Sequence, residues 1–187
     1  MMVTSVPKTR AVLMGDASVG KTTLIYRIVE KRFEPMVVPT TGGSVFHFQP
    51  DDTTLPGLDI WDTAGMENYR SLNQLYYHNA AAAILLFDLT NHTSFEHLES
   101  WIDEFISATG PDHPIFLIGN KNDLQPEVTN DEIGVFISHH KLKYYPLSAL
   151  TGEGLDPLIE ELIKLIKEAN IAQTGTMIDI DDNKKCC

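Results

Sequence analysis

Apolar residues along this chain gather into short runs that end at loops, alternating with longer stretches in which they recur every three or four positions. Residues 9–15, TRAVLMG, form one such run and break at a glycine-bearing loop. Residues 21–31 then carry Leu24, Ile25, Ile28 and Val29 at helical spacing, so the order is strand, loop, helix. Similar runs recur at 82–88 (AAILLFD), at 115–120 (IFLIGN) and, more weakly, at 143–147 (KYYPL), each with the pattern of a buried parallel strand. Between them, residues 94–107 present Phe95, Leu98, Ile102 and Phe105, and residues 155–168 present Leu155, Leu158, Ile159, Leu162, Ile163 and Ile166. These stripes would face a sheet. The alternation predicts an α/β fold with helices on both faces and ligands at the carboxyl ends of strands.

Residues 33–58 break the alternation with four prolines and Gly42, Gly43 and Gly57, and read as mobile loop plus a short hairpin. From about Ala172 the periodicity stops, and QTGTMIDIDDNKKCC reads as a tail of residues 172–187 behind a domain of residues 1–171. Composition narrows the function classes. A chain of 187 residues, 43% of them hydrophobic, suits one globular domain. The net charge of −12 opposes contact with nucleic acid, so a polyphosphate would have to be held by a local site. No run reaches the roughly 18 apolar residues of a membrane-spanning helix, and the first ten residues lack the apolar segment of a secretory signal. A soluble, intracellular protein is expected. The seven histidines are scattered, and even His139-His140 lacks companion ligands at metal spacing, so they read as solvated surface.

Chemistry-bearing motifs sit at the strand ends. Gly15-Asp16-Ala17-Ser18-Val19-Gly20-Lys21-Thr22 fits G-x-x-x-x-G-K-[ST] between a strand and a helix, the context in which backbone N-H groups converge on phosphate oxygens. Lys21 would reach the β- and γ-phosphates and the Thr22 hydroxyl would coordinate Mg²⁺. Asp62-Thr63-Ala64-Gly65 follows the strand LDIW, where Asp62 can hold a magnesium-bound water and Gly65 can offer its N-H to a γ-phosphate. Asn120-Lys121-Asn122-Asp123 follows IFLIG. The Asp123 carboxylate can accept both the N1-H and N2 donors of guanine, a pair that adenine lacks. Asn120 would tie this loop to the phosphate loop, and the Lys121 stem would pack on the base plane. Ser148-Ala149-Leu150 ends the last strand, with the Ala149 N-H in reach of the guanine O6.

In order and spacing, GDASVGKT, a threonine after a proline, WDTAG, NKND and SAL resemble the Ras superfamily of small GTP-binding proteins. Within it, YRSLNQLYYHNAAAAILLFDLT and the terminal double cysteine are most similar to the Rab family, and the likeness covers about residues 8–170. It implies the small G-protein (P-loop NTPase) fold, a mostly parallel six-stranded sheet with one antiparallel strand. It further implies a monomeric switch that binds GTP or GDP with Mg²⁺, hydrolyses GTP and regulates vesicle trafficking. By this resemblance the nucleotide contacts extend over Gly15, Ala17, Ser18, Val19, Gly20, Lys21, Thr22, Thr23, Phe33, Thr40, Gly65, Asn120, Lys121, Asp123, Ser148, Ala149 and Leu150. Thr40 would ligate Mg²⁺ in the GTP state, Phe33 would lean on the guanine, and residues 33–43 and 65–79 would be the switch segments. A P-loop kinase is the weaker reading, because NKND selects guanine and no acceptor-substrate lid is evident.

Several positions depart from the Rab pattern. Thr41 and Ser44 replace an isoleucine and an acid, so effector identity does not carry over. Leu150 replaces the usual lysine of the S-A-K loop, which predicts weaker but still guanine-specific binding. Met66 stands where a glutamine usually orients the attacking water, and a thioether neither donates a hydrogen bond nor accepts one well. Slow intrinsic hydrolysis is expected; the alternative is a hydrolysis-poor, mostly GTP-bound effector scaffold on a membrane. Cys186 and Cys187, the only cysteines, would carry two geranylgeranyl chains, enough for stable anchoring to the cytosolic face of an endomembrane. Expected partners are an exchange factor, an activating protein, a GDP-dissociation inhibitor, a prenylation escort protein and GTP-dependent effectors.

Overall fold

A computed structural model describes residues 9–34, 40, 42–64 and 75–178, with side chains described as far as residue 172. Six strands, β1 (Thr9–Met14), β2 (Gly43–Phe48), β3 (Leu58–Thr63), β4 (Ala82–Asp88), β5 (Ile115–Asn120) and β6 (Lys143–Pro146), form one sheet in the order β2-β3-β1-β4-β5-β6. Only β2 runs antiparallel to its neighbour, pairing Gly43 with Thr63 and Phe48 with Leu58. Every other pairing is parallel. The expected sheet, mostly parallel with one antiparallel strand, is thus the one observed.

Period-two alternation sorts each central strand between two cores. Ala11 and Leu13 of β1, Ala82, Ile84 and Leu86 of β4, and Phe116 and Ile118 of β5 face one side. There α1 (Lys21–Glu30) and α5 (Leu155–Ile178) cover them with Leu24, Ile25, Ile28, Leu158, Leu162 and Ile166. Val12, Met14, Ala83, Leu85, Phe87 and Leu117 face the other side, where α3 (Leu98–Thr109) and α4 (Asn130–His140) supply Leu98, Trp101, Ile102, Phe105 and Ile133. Because both faces are covered, the central strands read as continuous apolar runs.

Three elements differ from the sequence reading. The helix expected over 94–107 is two, α2 (His92–Glu96) and α3, divided at His97 with φ −78° and ψ −9°. The pattern also left α4 unmarked, although Ile133, Phe136 and Ile137 pack from it and Thr129 begins it with a capping box to Glu132. Finally α5 continues past the boundary drawn at 171/172 to Ile178. A helix already nucleated adds a hydrogen bond for each residue fixed, so it extends without a further apolar stripe.

The chain visits β2 and β3 on one side of β1 and then crosses to β4 on the other. Strand order therefore reverses at β1, which opens a crevice at the carboxyl end of that strand.

Candidate functional site

The loop leaving β1 into that crevice is shaped by its glycines. Gly15 has φ +129°, and a Cβ there would stand 2.2 Å from the Leu86 carbonyl oxygen. Gly20 has φ +99°, and its Cβ would meet Asn120 Nδ2 at 2.2 Å. No side chain fits either place. Ser18 takes φ 64°, and with Ala17 it is exposed at the loop's summit, whereas Val19 is buried.

Lys21 opens α1 from beneath the loop and is buried. Its Nζ donates to the Gly15 carbonyl at 2.8 Å and to the Asp16 carbonyl at 2.7 Å. Burial lowers its pKa to about 8, partly offset by the Asp62 and Asp16 carboxylates. An anion beside this ammonium would relieve the desolvation that two carbonyls only partly meet.

Three oxygen-bearing side chains meet next to it. Thr22 Oγ1 donates to Asp62 Oδ2 at 2.6 Å. Thr40 Oγ1 lies 3.2 Å from both Asp62 Oδ2 and Thr22 Oγ1. Asp62, from the end of β3, is 1% exposed, and its Oδ1 has no hydrogen-bond partner among the described residues. Desolvation raises its pKa, opposed by the Thr22 hydroxyl, Lys21 and Thr40 in that order. Two hydroxyls beside a carboxylate with an unmatched oxygen form a hard donor set, and that fits Mg²⁺ better than a softer metal. It supplies few protein oxygens. A Mg²⁺ held here would keep waters or ligand phosphates in its shell.

Across the crevice, Asn120 joins three loops. Its Nδ2 donates to the Val19 carbonyl at 2.7 Å, and its Oδ1 accepts the Ala149 N-H at 3.0 Å. Both ends of a buried amide are thereby satisfied, which fixes the NKND and SAL loops against the phosphate loop. Lys121 takes φ 64° and its ammonium binds Asp88 Oδ2, while the Asn122 N-H reaches the Leu147 carbonyl at 3.1 Å. Asp123 stays exposed at the rim. Ser148 is buried, its Oγ accepting from the Thr151 N-H at 3.1 Å, and Leu150 is half exposed. Thr23 lies half-buried on α1, and Phe33 follows the helix with its ring partly open to solvent. Gly65, Met66, Cys186 and Cys187 lie outside the described residues.

The sequence reading missed two sets of contacts. Arg27, on the outward side of α1, sends its guanidinium to the carbonyls of Ala149 and Leu150, tying the SAL loop to the helix. Four of the histidines read as solvated surface are also set against carboxylates: His47 on Asp59, His92 on Glu132, His97 on Asp16 and His140 on Glu99. These pairs bridge separate elements, and spacing along the chain carries no signal for them. No group of three or more His, Cys, Asp or Glu among the described residues is placed to hold a metal ion. No helix among them is long and apolar enough to cross a membrane.

A family model described as the Ras family matches residues 10–168. The chain is 34% identical over 158 residues to a probable Ras-related protein Rab-4A of Echinococcus multilocularis, covering 82% of this chain and 71% of the relative. It is 34% identical over 171 residues to the Ras-related protein RABF2a of Arabidopsis thaliana, covering 89% and 85%. To the Ras-related protein Rab-4 of Dictyostelium discoideum it is 34% identical over 182 residues, covering 91% and 87%. With strand order, phosphate loop and NKND loop arranged around one crevice, the matches lead to a single conclusion: this chain belongs to the Ras superfamily of small GTPases and is Rab-like within it.

Proposed function

We propose that this protein is a GTP/GDP-switched regulator of intracellular vesicle trafficking, binding guanine nucleotide with Mg²⁺ and slowly hydrolysing GTP to GDP and phosphate. The observation that carries the reading is the junction at Asn120, where one buried amide holds the phosphate loop and both base-facing loops together. In this assignment, Lys21 and the N-H groups of residues 15–22 cradle the phosphates, and Asp123 selects guanine. Thr22 and Thr40 would hold Mg²⁺, with Asp62 acting behind them through water. A bound Mg²⁺ supplies charge neutralisation at the β- and γ-phosphate oxygens.

Thr40 is the coupling point between chemistry and recognition. It stands beside Thr22 and Asp62, at the far end of residues 33–43, so a ligand that engages its hydroxyl draws that segment toward the site. Gly65 would do the same for residues 65–79. Loss of the γ-phosphate releases both, and effectors read the difference. Prenylation at Cys186 and Cys187 would keep the protein on the cytosolic face of an endomembrane, from which a GDP-dissociation inhibitor could extract it. An exchange factor and an activating protein would set the pace of the cycle.

Met66 favours a second reading, a hydrolysis-poor scaffold that remains GTP-bound on its membrane. Single-turnover hydrolysis of GTP by the wild type and by Met66→Gln separates the two. Slow but measurable turnover in the wild type, raised about tenfold by the glutamine that orients water, supports the switch with Met66 as its limit. No turnover in the wild type, with GTP still bound after purification, supports the scaffold. Equal rates would show that Met66 is not the limiting group.

A further inference from the structure

Asp16 is the second residue of the phosphate loop, and its two ends do different things. Its main-chain carbonyl accepts the Lys21 ammonium at 2.7 Å. Its carboxylate is held from the opposite core: Oδ1 accepts the Trp101 indole N-H at 2.8 Å, and Oδ2 lies 2.6 Å from His97 Nδ1. Trp101 is 1% exposed and packed in the core between the sheet and α3, so its N-H is fixed in direction. His97 sits where α2 passes into α3, and its own carbonyl accepts from the Trp101 N-H of the main chain at 3.3 Å. Residues four apart on one helix face thus place two ring N-H groups side by side on one carboxylate.

We propose that Trp101 and His97 are positioning residues for nucleotide retention: they hold the Asp16 carboxylate, and through it the carbonyl that orients Lys21 in the phosphate loop. The inference rests on the guanine-nucleotide reading given above. Neither residue touches the nucleotide in this scheme. Both act through Asp16, which joins the first turn of α3 to the phosphate loop, so any partner that shifts α3 changes how firmly the loop holds its ligand. Trp101 carries the larger share, because its hydrogen bond to Asp16 is made by a buried side chain, whereas His97 is half exposed.

The test is dissociation of a fluorescent GDP analogue in Mg²⁺, measured on the full chain for the parent, Asp16→Ala, Trp101→Phe and the double variant, with thermal unfolding in excess GDP to confirm folding. Release is expected to accelerate about tenfold in each single variant, the value of one hydrogen bond to a charged group. The double variant should be no faster than the faster single, because the two residues act through one contact. Asp16→Asn, which keeps an acceptor for the indole, should recover most of the parental rate even if Asp16→Ala folds poorly. In a Trp61→Phe background, Trp101 emission should shift on Asp16→Ala. Parental release rates in the single variants, or fold-changes that multiply in the double variant, would overturn the inference and leave the nucleotide reading standing. A parent that retains no guanine nucleotide would overturn both.

Discussion

At the residue scale, the proposed switch would divide its work between Asp62, for the metal, and Asp123, for the base. Asp62 Oδ2 takes both threonine hydroxyls while Oδ1 is buried without a partner among the described residues, an arrangement that leaves carboxylate charge for a cation. Asp62→Ala should therefore abolish the slowing of GDP release by Mg²⁺, so that release in Mg²⁺ equals release in a chelator by stopped-flow fluorescence. Asp123 is exposed, and the loop is anchored by Asn120 and Asn122. Asp123→Ala should keep the fold and lower the preference for GTP over ATP by roughly 100-fold or more in competition binding. A retained preference would place base selection elsewhere.

At the element scale, α4 shows what a local cap contributes to a helix that the apolar pattern barely marks. Thr129 Oγ1 accepts the Glu132 N-H at 3.3 Å, and Glu132 Oε2 accepts the Thr129 N-H at 2.9 Å. Thr129→Ala should lower the Tm by roughly 2–4 °C without altering nucleotide affinity. Glu132 also joins this cap to α2, because its second oxygen holds His92 Nε2 at 2.8 Å. The hydrogen bond to His92, then those to Thr129, lower the carboxyl to about 2, and the same contact raises His92 above its usual 6.5. The Glu132 contribution is present above about pH 4.5 and is lost as pH falls toward 2. The His92 contribution is complete below pH 6.5 and is lost as pH rises through its raised value. The Tm difference between wild type and Glu132→Gln should thus be largest from about pH 4.5 to 6.5 and shrink on either side. A difference independent of pH would mean that the pair adds nothing as charges.

At the scale of the whole molecule, the strands were legible because burial on both faces leaves β1, β4 and β5 as uninterrupted apolar runs. The phosphate and NKND loops were legible because their glycines and amide answer local backbone demands at fixed spacing. What escaped was long-range. The His97 contact reaches an aspartate 81 positions earlier, and the Arg27 contacts span 122 and 123 positions, separations to which no periodicity refers. The edge strand β2 was legible only as part of a hairpin, since its residues 43–47 leave no fully buried face. These long-range ties join the two cores through the loops of one crevice, so a ligand in the crevice stabilises the entire sheet by mass action. The most direct measurement of the proposed guanine-nucleotide and Mg²⁺ binding is displacement of a fluorescent GDP analogue by GTP, GDP and ATP, with and without Mg²⁺. Displacement by GTP and GDP but not by ATP is expected, with release accelerated when Mg²⁺ is removed. Equal displacement by ATP, or release indifferent to Mg²⁺, would contradict the proposed binding.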